Sequence, residues 1–149
     1  AAAITRLGFG KTDVIQMLNG CIGGLVAITA EPLMPSPLAA ILIGGVGGVI
    51  VVFGTKLLFS LKIDDVVGAI PAHLFAGIWG TLAVPITNPD TAFGTQLIGV
   101  ISINVFVFAT ALIVWSTMKA TIGIRLSKEG ETKGTDVTET GVIAYAIRD

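Results

Sequence analysis

The sequence predicts an all-α chain: a polytopic transmembrane helical bundle of four spanning helices with a short polar tail. Three observations carry that reading. More than half of the 149 residues are apolar and 13% are charged, with a mean hydropathy of +0.89, which leaves too little polar surface to wrap a water-soluble core of this size. Four apolar runs of roughly 17 to 22 residues have the length a helix needs to cross a hydrocarbon layer about 30 Å thick. All nine Lys and Arg residues fall on one side of a four-span topology.

The first run covers about 14–30, with Asp13 as its N-cap and Glu31-Pro32 as its stop. The second covers about 38–58 and the third about 66–84, where Asp64 and Asp65 stand at the end favoured by negative charge. The fourth covers about 97–118. Residues 1–13 are a lead-in and 119–149 a tail, too polar to hold a core of its own. Arg6 and Lys11 precede the first run, Lys56 and Lys62 flank the second turn, and Lys119, Arg125, Lys128, Lys133 and Arg148 follow the fourth. The loops at 31–37 and 85–95 contain no basic residue. This is the positive-inside pattern, and it places both ends and the 56–65 turn in the cytosol. The opening Ala1-Ala2-Ala3 has neither an initiator methionine nor signal-peptide character. It reads as the carboxyl-terminal part of a longer protein, with a processed mature chain as the alternative.

Glycine is abundant, at 19 residues, as suits closely packed membrane helices. Gly20 with Gly24, and Gly44 with Gly48, have GxxxG spacing and read as packing faces. Gly68, Ala72, Ala76 and Gly80 form a smooth ridge on the third helix, with His73, Gly77 and Thr81 as the adjacent stripe. Gln16, Asn19, Ser102 and Asn104 read as interhelical hydrogen-bond partners. Trp79 and Trp115 serve as packing residues or interfacial anchors. Cys21 lies alone in an apolar run and reads as a small core residue. The sequence contains no Walker, GxSxG, HExxH or nucleotide-binding glycine motif and no basic stretch for nucleic acid. No enzyme activity, catalytic residue, metal or cofactor is expected.

His73 is the only histidine and falls near mid-span. An ionisable group at that depth faces a bundle interior or a cavity more often than lipid, and desolvation favours its neutral form. It either relays protons and holds a polar solute, or ties helices together. Pro71 withholds a backbone donor, so the carbonyl of Val67 needs a water, a side chain or a permeant. Asp64, Asp65 and Pro71 are the helix-cap and structural residues of this region.

The residues KIDDVVGAIPAHLFAGIWGTLAV at 62–84 resemble the tenth-helix region of the ammonium transporter (Amt/Mep/Rh) family. KTDVIQMLNGCIGGLVAITA is similar to its eighth helix and PLAAILIGGVGGVIVVF to its ninth. FGTQLIGVISINVFVFATALIVWSTMKATIGIRLS is similar to its eleventh helix and exit, and KGTDVTETGVIAYAIRD to its cytosolic tail. The resemblance implies a fragment of an eleven-helix fold, its last four helices and tail, in a homotrimer with one narrow hydrophobic pore per subunit. It implies that ammonium is deprotonated and passes as ammonia, with His73 as the second of two pore histidines. It further implies a plasma or inner membrane location, a cytosolic carboxyl terminus, a possible PII-type signalling partner and a regulatory role for Thr138. Val66, Leu74 and Thr140 depart from the family pattern. The rival reading is a non-transporting scaffold or oligomerising subunit with a structural histidine.

Overall fold

The computed structural model describes residues 1–33 and 35–144; Arg148, counted above among the tail's basic residues, lies outside them. Among the described residues every regular element is a helix, and no strand is present. They divide into two compact units, Ala1–Asn104 and Val105–Asp149.

In the first unit, α1 (Ala2–Phe9) occupies the lead-in. It is held by Thr5, which is fully buried, and whose hydroxyl accepts the N–H of Asp13 at 3.3 Å. Helix α2 (Val14–Ile28) opens on Asp13, whose carboxylate accepts the N–H of Gln16 at 3.0 Å. It ends two residues sooner than the apolar run, because Thr29 turns both its N–H and its hydroxyl onto Val26 O, at 3.2 and 2.8 Å. At 15 residues it is about 22 Å long, shorter than a full hydrocarbon crossing. Helix α3 (Pro37–Ser60) starts from the Ser36 cap with Pro37 in the first turn, where a missing N–H costs nothing. It closes in a Schellman arrangement: Ile63 N–H reaches Leu58 O at 3.0 Å, Lys62 N–H reaches Phe59 O at 3.1 Å, and Lys62 adopts φ 57°.

The third apolar run begins three to four residues later than its sequence suggests. Gly68 takes φ +74°, which breaks the helical path. A wide π-helical turn, Ile70–Phe75, then leads into α4 (Ala76–Thr87). Helix α5 (Phe93–Thr121) is longer than expected at both ends and crosses the division between the two units; no residue of it is buried. Three helical stretches, Pro37–Ser60, Ile70–Thr87 and Phe93–Thr121, are long and apolar enough to span a membrane, and α2 is the shorter apolar fourth.

The core of the first unit is built on small residues. A Cβ on Gly24 would stand 3.1 Å from Gly44 O, and one on Gly44 would stand 3.2 Å from Gly24 O. At that separation the two backbones touch, and dispersion between main chains replaces side-chain interdigitation. On the other face of α2, a Cβ on Gly80 would run into the backbone of Ala27. Ala72, Ala76 and Ala83 are buried beside it, and Val51 and Val52 of α3 are completely enclosed. Trp79 packs against Ala27 and Ile43 and donates its indole N–H to Ile43 O at 3.0 Å. Lys56 lies near the end of α3 with its ammonium 3.4 Å above the Phe9 ring, a cation–π contact that keeps the charge at the rim. Cys21 is exposed on the outer face of α2, not in the core.

The second unit carries the end of α5, a short α6 (Lys128–Lys133) capped by Ser127, and a second π-helical turn, Asp136–Thr140. Arg125 meets Glu131 at 2.5 Å and Lys133 meets Glu129 at 3.1 Å.

Gly24→Leu is expected to destabilise the protein by about 1–3 kcal/mol through overpacking, read as a lower midpoint of thermal unfolding in detergent. Gly45→Ala, on open surface, serves as the control and is expected to leave the midpoint unchanged.

Candidate functional site

The segment before His73 is where the backbone has most polar groups to place. The Asp65 carboxylate takes two N–H groups at once, Ala69 at 2.9 Å and Ile70 at 2.8 Å. Two of the donors orphaned at the start of the helix are thereby satisfied. Asp64 is exposed and makes no side-chain hydrogen bond among the described residues. Pro71 is buried in the first π-helical turn, where its ring has no N–H to lose. Ala72 N–H reaches back to Gly68 O at 3.2 Å. The carbonyl of Val67 is claimed from outside the segment: Asn19 of α2 donates its amide N–H to it at 2.7 Å. The sequence had shown that this carbonyl needed a partner but had not said which. At the far end of the turn, Ala76 N–H is shared between Pro71 O and His73 O. The bond to Pro71 O, five residues back, is the one that widens the helix, and such π turns recur at functional sites.

His73 sits inside this turn on the side away from the packed ridge, and its ring is exposed and has no hydrogen-bond partner among the described residues. It lines a groove of about 310 Å³ together with Gly77 and Thr81, the stripe expected from four-residue spacing. The facing wall comes from the opening half of α5, where Gln96, Val100 and Asn104 recur every four residues. Thr81 donates its hydroxyl to Gly77 O at 2.9 Å, and Asn104 donates its amide to Val100 O at 2.8 Å. Each therefore spends a donor on its own helix and keeps oxygen lone pairs free. The groove is otherwise apolar, walled by Leu74, Ile78 and Ile103. It can hold a small solute between an imidazole and a few acceptors, in surroundings that penalise an unpaired charge.

Four polar residues were expected to bridge helices, and their fates differ. Asn19 does so. Asn104 bonds within its own helix, Gln16 bonds Asp13 with its Oε1 buried and without a partner among the described residues, and Ser102 is exposed. Gln96 was not singled out from sequence, although its four-residue spacing to Val100 and Asn104 was there to be read. The π turn had no comparable signal beyond Pro71.

Thr138 lies in the second unit, away from this groove in the chain. Its hydroxyl donates to Gly134 O at 2.8 Å and lies 3.3 Å from Gly130 O, tying the second π turn to α6. Around it, the Arg125 guanidinium holds the Glu131 carboxyl below its ordinary range, first by hydrogen bonding and then by charge. Backbone N–H donors, Ala144 foremost, do the same for Asp136.

Taken together, the fold and groove define a polytopic helical membrane protein with one histidine presented from a π turn to a largely apolar passage. The chain belongs to the Ammonium Transporter Family, whose sequence model matches residues 1–145. It is 37% identical to ammonium transporter Amt2 of Archaeoglobus fulgidus over 97% of this chain and 35% of that protein. It is 34% identical to ammonium transporter Amt1 of Haloferax mediterranei over 91% of this chain and 27% of that one. Ammonium transporter 3 of Dictyostelium discoideum is 30% identical over 95% of this chain and 39% of its own length. The chain thus spans about a third of the length of these relatives.

Two outcomes are expected. Asp65→Ala removes a cap that serves two donors, and should cost about 1–2 kcal/mol of stability, measured by thermal unfolding; Asp64→Ala should cost nothing measurable. In the tail, the lowered carboxyls of Glu131 and Asp136 stabilise the folded form above their unfolded pKa values and lose that contribution as pH falls through the folded ones. The protection of amides across 127–144, taken relative to their intrinsic exchange rate at each pH, should therefore hold near neutral pH and fall below the ordinary carboxylate range, and high salt should mimic part of the effect.

Proposed function

We propose that this chain forms part of an ammonium transporter and that His73 lines its conduction path. The observation that carries the reading is the free imidazole of His73: it faces an apolar groove while the Val67 carbonyl and the Ala69 and Ile70 amides ahead of its turn are engaged. Ammonium entering such a passage would lose its hydration without finding a counter-charge, a cost of several kcal/mol or more. Releasing a proton first lets neutral ammonia cross. A neutral imidazole has one donor and one acceptor nitrogen, so it can bond ammonia on one side and pass a proton on the other. The oxygen lone pairs of Thr81 and Asn104 accept hydrogen bonds from the moving amine.

The proposal extends to the whole protein: a homotrimer in the plasma or inner membrane, with its carboxyl terminus in the cytosol. Placement of every Lys and Arg on one side supports that orientation. A PII-type protein is the proposed cytosolic partner. Thr138 is the proposed regulatory residue, because a phosphate there would turn a donor that faces two carbonyls into a set of acceptors. The local fold of α6 and the second π turn would have to open.

In the rival scaffold reading, His73 would tie helices together by a hydrogen bond, and among the described residues its side chain makes none. His73→Ala in the complete protein is expected to cut ammonium uptake by about tenfold or more, at unchanged protein level in the membrane. Wild-type uptake by that variant would remove His73 from the conduction path.

A further inference from the structure

We infer that Asn19 is a positioning residue for His73, acting through the carbonyl of Val67. The inference rests on His73 lining the conduction path and adds what aims it there. Asn19 stands on α2, 48 positions from Val67 in sequence, and its amide bond to that carbonyl is 2.7 Å. Val67 O lies just ahead of the helix of His73, whereas the next carbonyl, Gly68 O, takes the N–H of Ala72 at 3.2 Å. The residue that an ordinary helix would offer Val67 O is Pro71, which has no N–H.

The contact is keyed to the amide. Gly68 has φ +74°, and a Cβ at that position would strike the Asn19 amide nitrogen. Only glycine satisfies both the backbone and the neighbour. The N–H groups of Ala69 and Ile70 already belong to Asp65, so helix formation does not require Asn19. What the amide adds is the shorter of two holds on the peptide between Val67 and Gly68: its N–H reaches Asp65 O at 3.3 Å, and with the 2.7 Å amide bond gone that longer contact alone resists a swivel at glycine. A swivel there lets the π turn re-register. A slip of one residue carries a side chain about 100° around a helix axis, enough to swing the His73 ring out of its groove. The bond therefore governs where the imidazole points more than whether the segment folds.

The test is ammonium uptake by the complete protein, measured against concentration, for Asn19→Leu, Asn19→Ser and Gly68→Ala, with His73→Ala alongside. Asn19→Leu is expected to lower the maximal rate by about tenfold while the half-saturating concentration stays within about twofold, with near-normal protein level and thermal unfolding. Asn19→Ser keeps a hydroxyl donor and should recover a large part of the lost rate. Gly68→Ala, whose Cβ would strike the Asn19 amide and also strain the left-handed backbone, should lower the rate as Asn19→Leu does and, unlike it, lower the unfolding midpoint as well; a wild-type rate in Gly68→Ala would count against the inference. Wild-type rates in Asn19→Leu would overturn the inference, as would equal losses in the leucine and serine variants. If Asn19→Leu lowers uptake only in proportion to lost protein, the bond is structural and the inference is again overturned. If His73→Ala itself transports normally, the fault lies with the role given to His73; if it is inactive while Asn19→Leu is normal, the fault lies with Asn19 alone.

Discussion

In a hydrocarbon layer a backbone amide or carbonyl that leaves the helical ladder has no water to turn to, and each one left unpaired costs several kcal/mol. This constraint governs residues 65–76, the one stretch of the first unit where a potential membrane helix is not an ordinary α-helix. Asp65 takes two amides, Asn19 takes one carbonyl, Pro71 supplies no donor at all, and Ala76 divides its N–H between two acceptors. With the account closed on that side, the turn can be wide, and a wide turn can present His73 without drawing its ring into a bond with the protein.

The same turn depends on what lies behind it. The ridge of Ala72, Ala76, Gly80 and Ala83 is buried against α2 and α3, and those two helices meet backbone to backbone at Gly24 and Gly44. Small residues permit that approach, and the approach brings Asn19 within reach of Val67. Glycine therefore has two separate duties here: at Gly24 and Gly44 it removes side-chain bulk, and at Gly68 it allows a left-handed backbone beside an amide. The groove on the opposite face is a product of asymmetry, with close packing behind the histidine and the open groove in front of it.

Some of this was legible in the residues. Apolar runs and cap residues located every long helix, because hydrophobic length and end chemistry are local properties. The ends moved by a few residues where a single local interaction intervened: Thr29 folding back on Val26, or Gly68 adopting positive φ. That Val67 O required a partner also followed from Pro71 alone. Its partner was not legible, since Asn19 lies 48 positions away and four polar residues had looked equally suited. Asn104 and Gln16 found partners within their own helix or its cap, which composition could not separate from bridging.

By itself the sequence determined an all-helical membrane chain, its small-residue packing faces and a lone histidine in the third apolar run, since each depends on residue type and spacing along one strand of chain; the expected mid-span depth did not hold, because the break at Gly68 starts the helical stretch at Ile70 and leaves His73 at its fourth residue. Only the tertiary structure decided which face of its helix His73 occupies, that its turn is π-helical, and that Gln96, Thr81 and Asn104 share its groove. Those outcomes depend on distances between segments far apart in sequence, fixed by how closely the glycine faces let the helices approach.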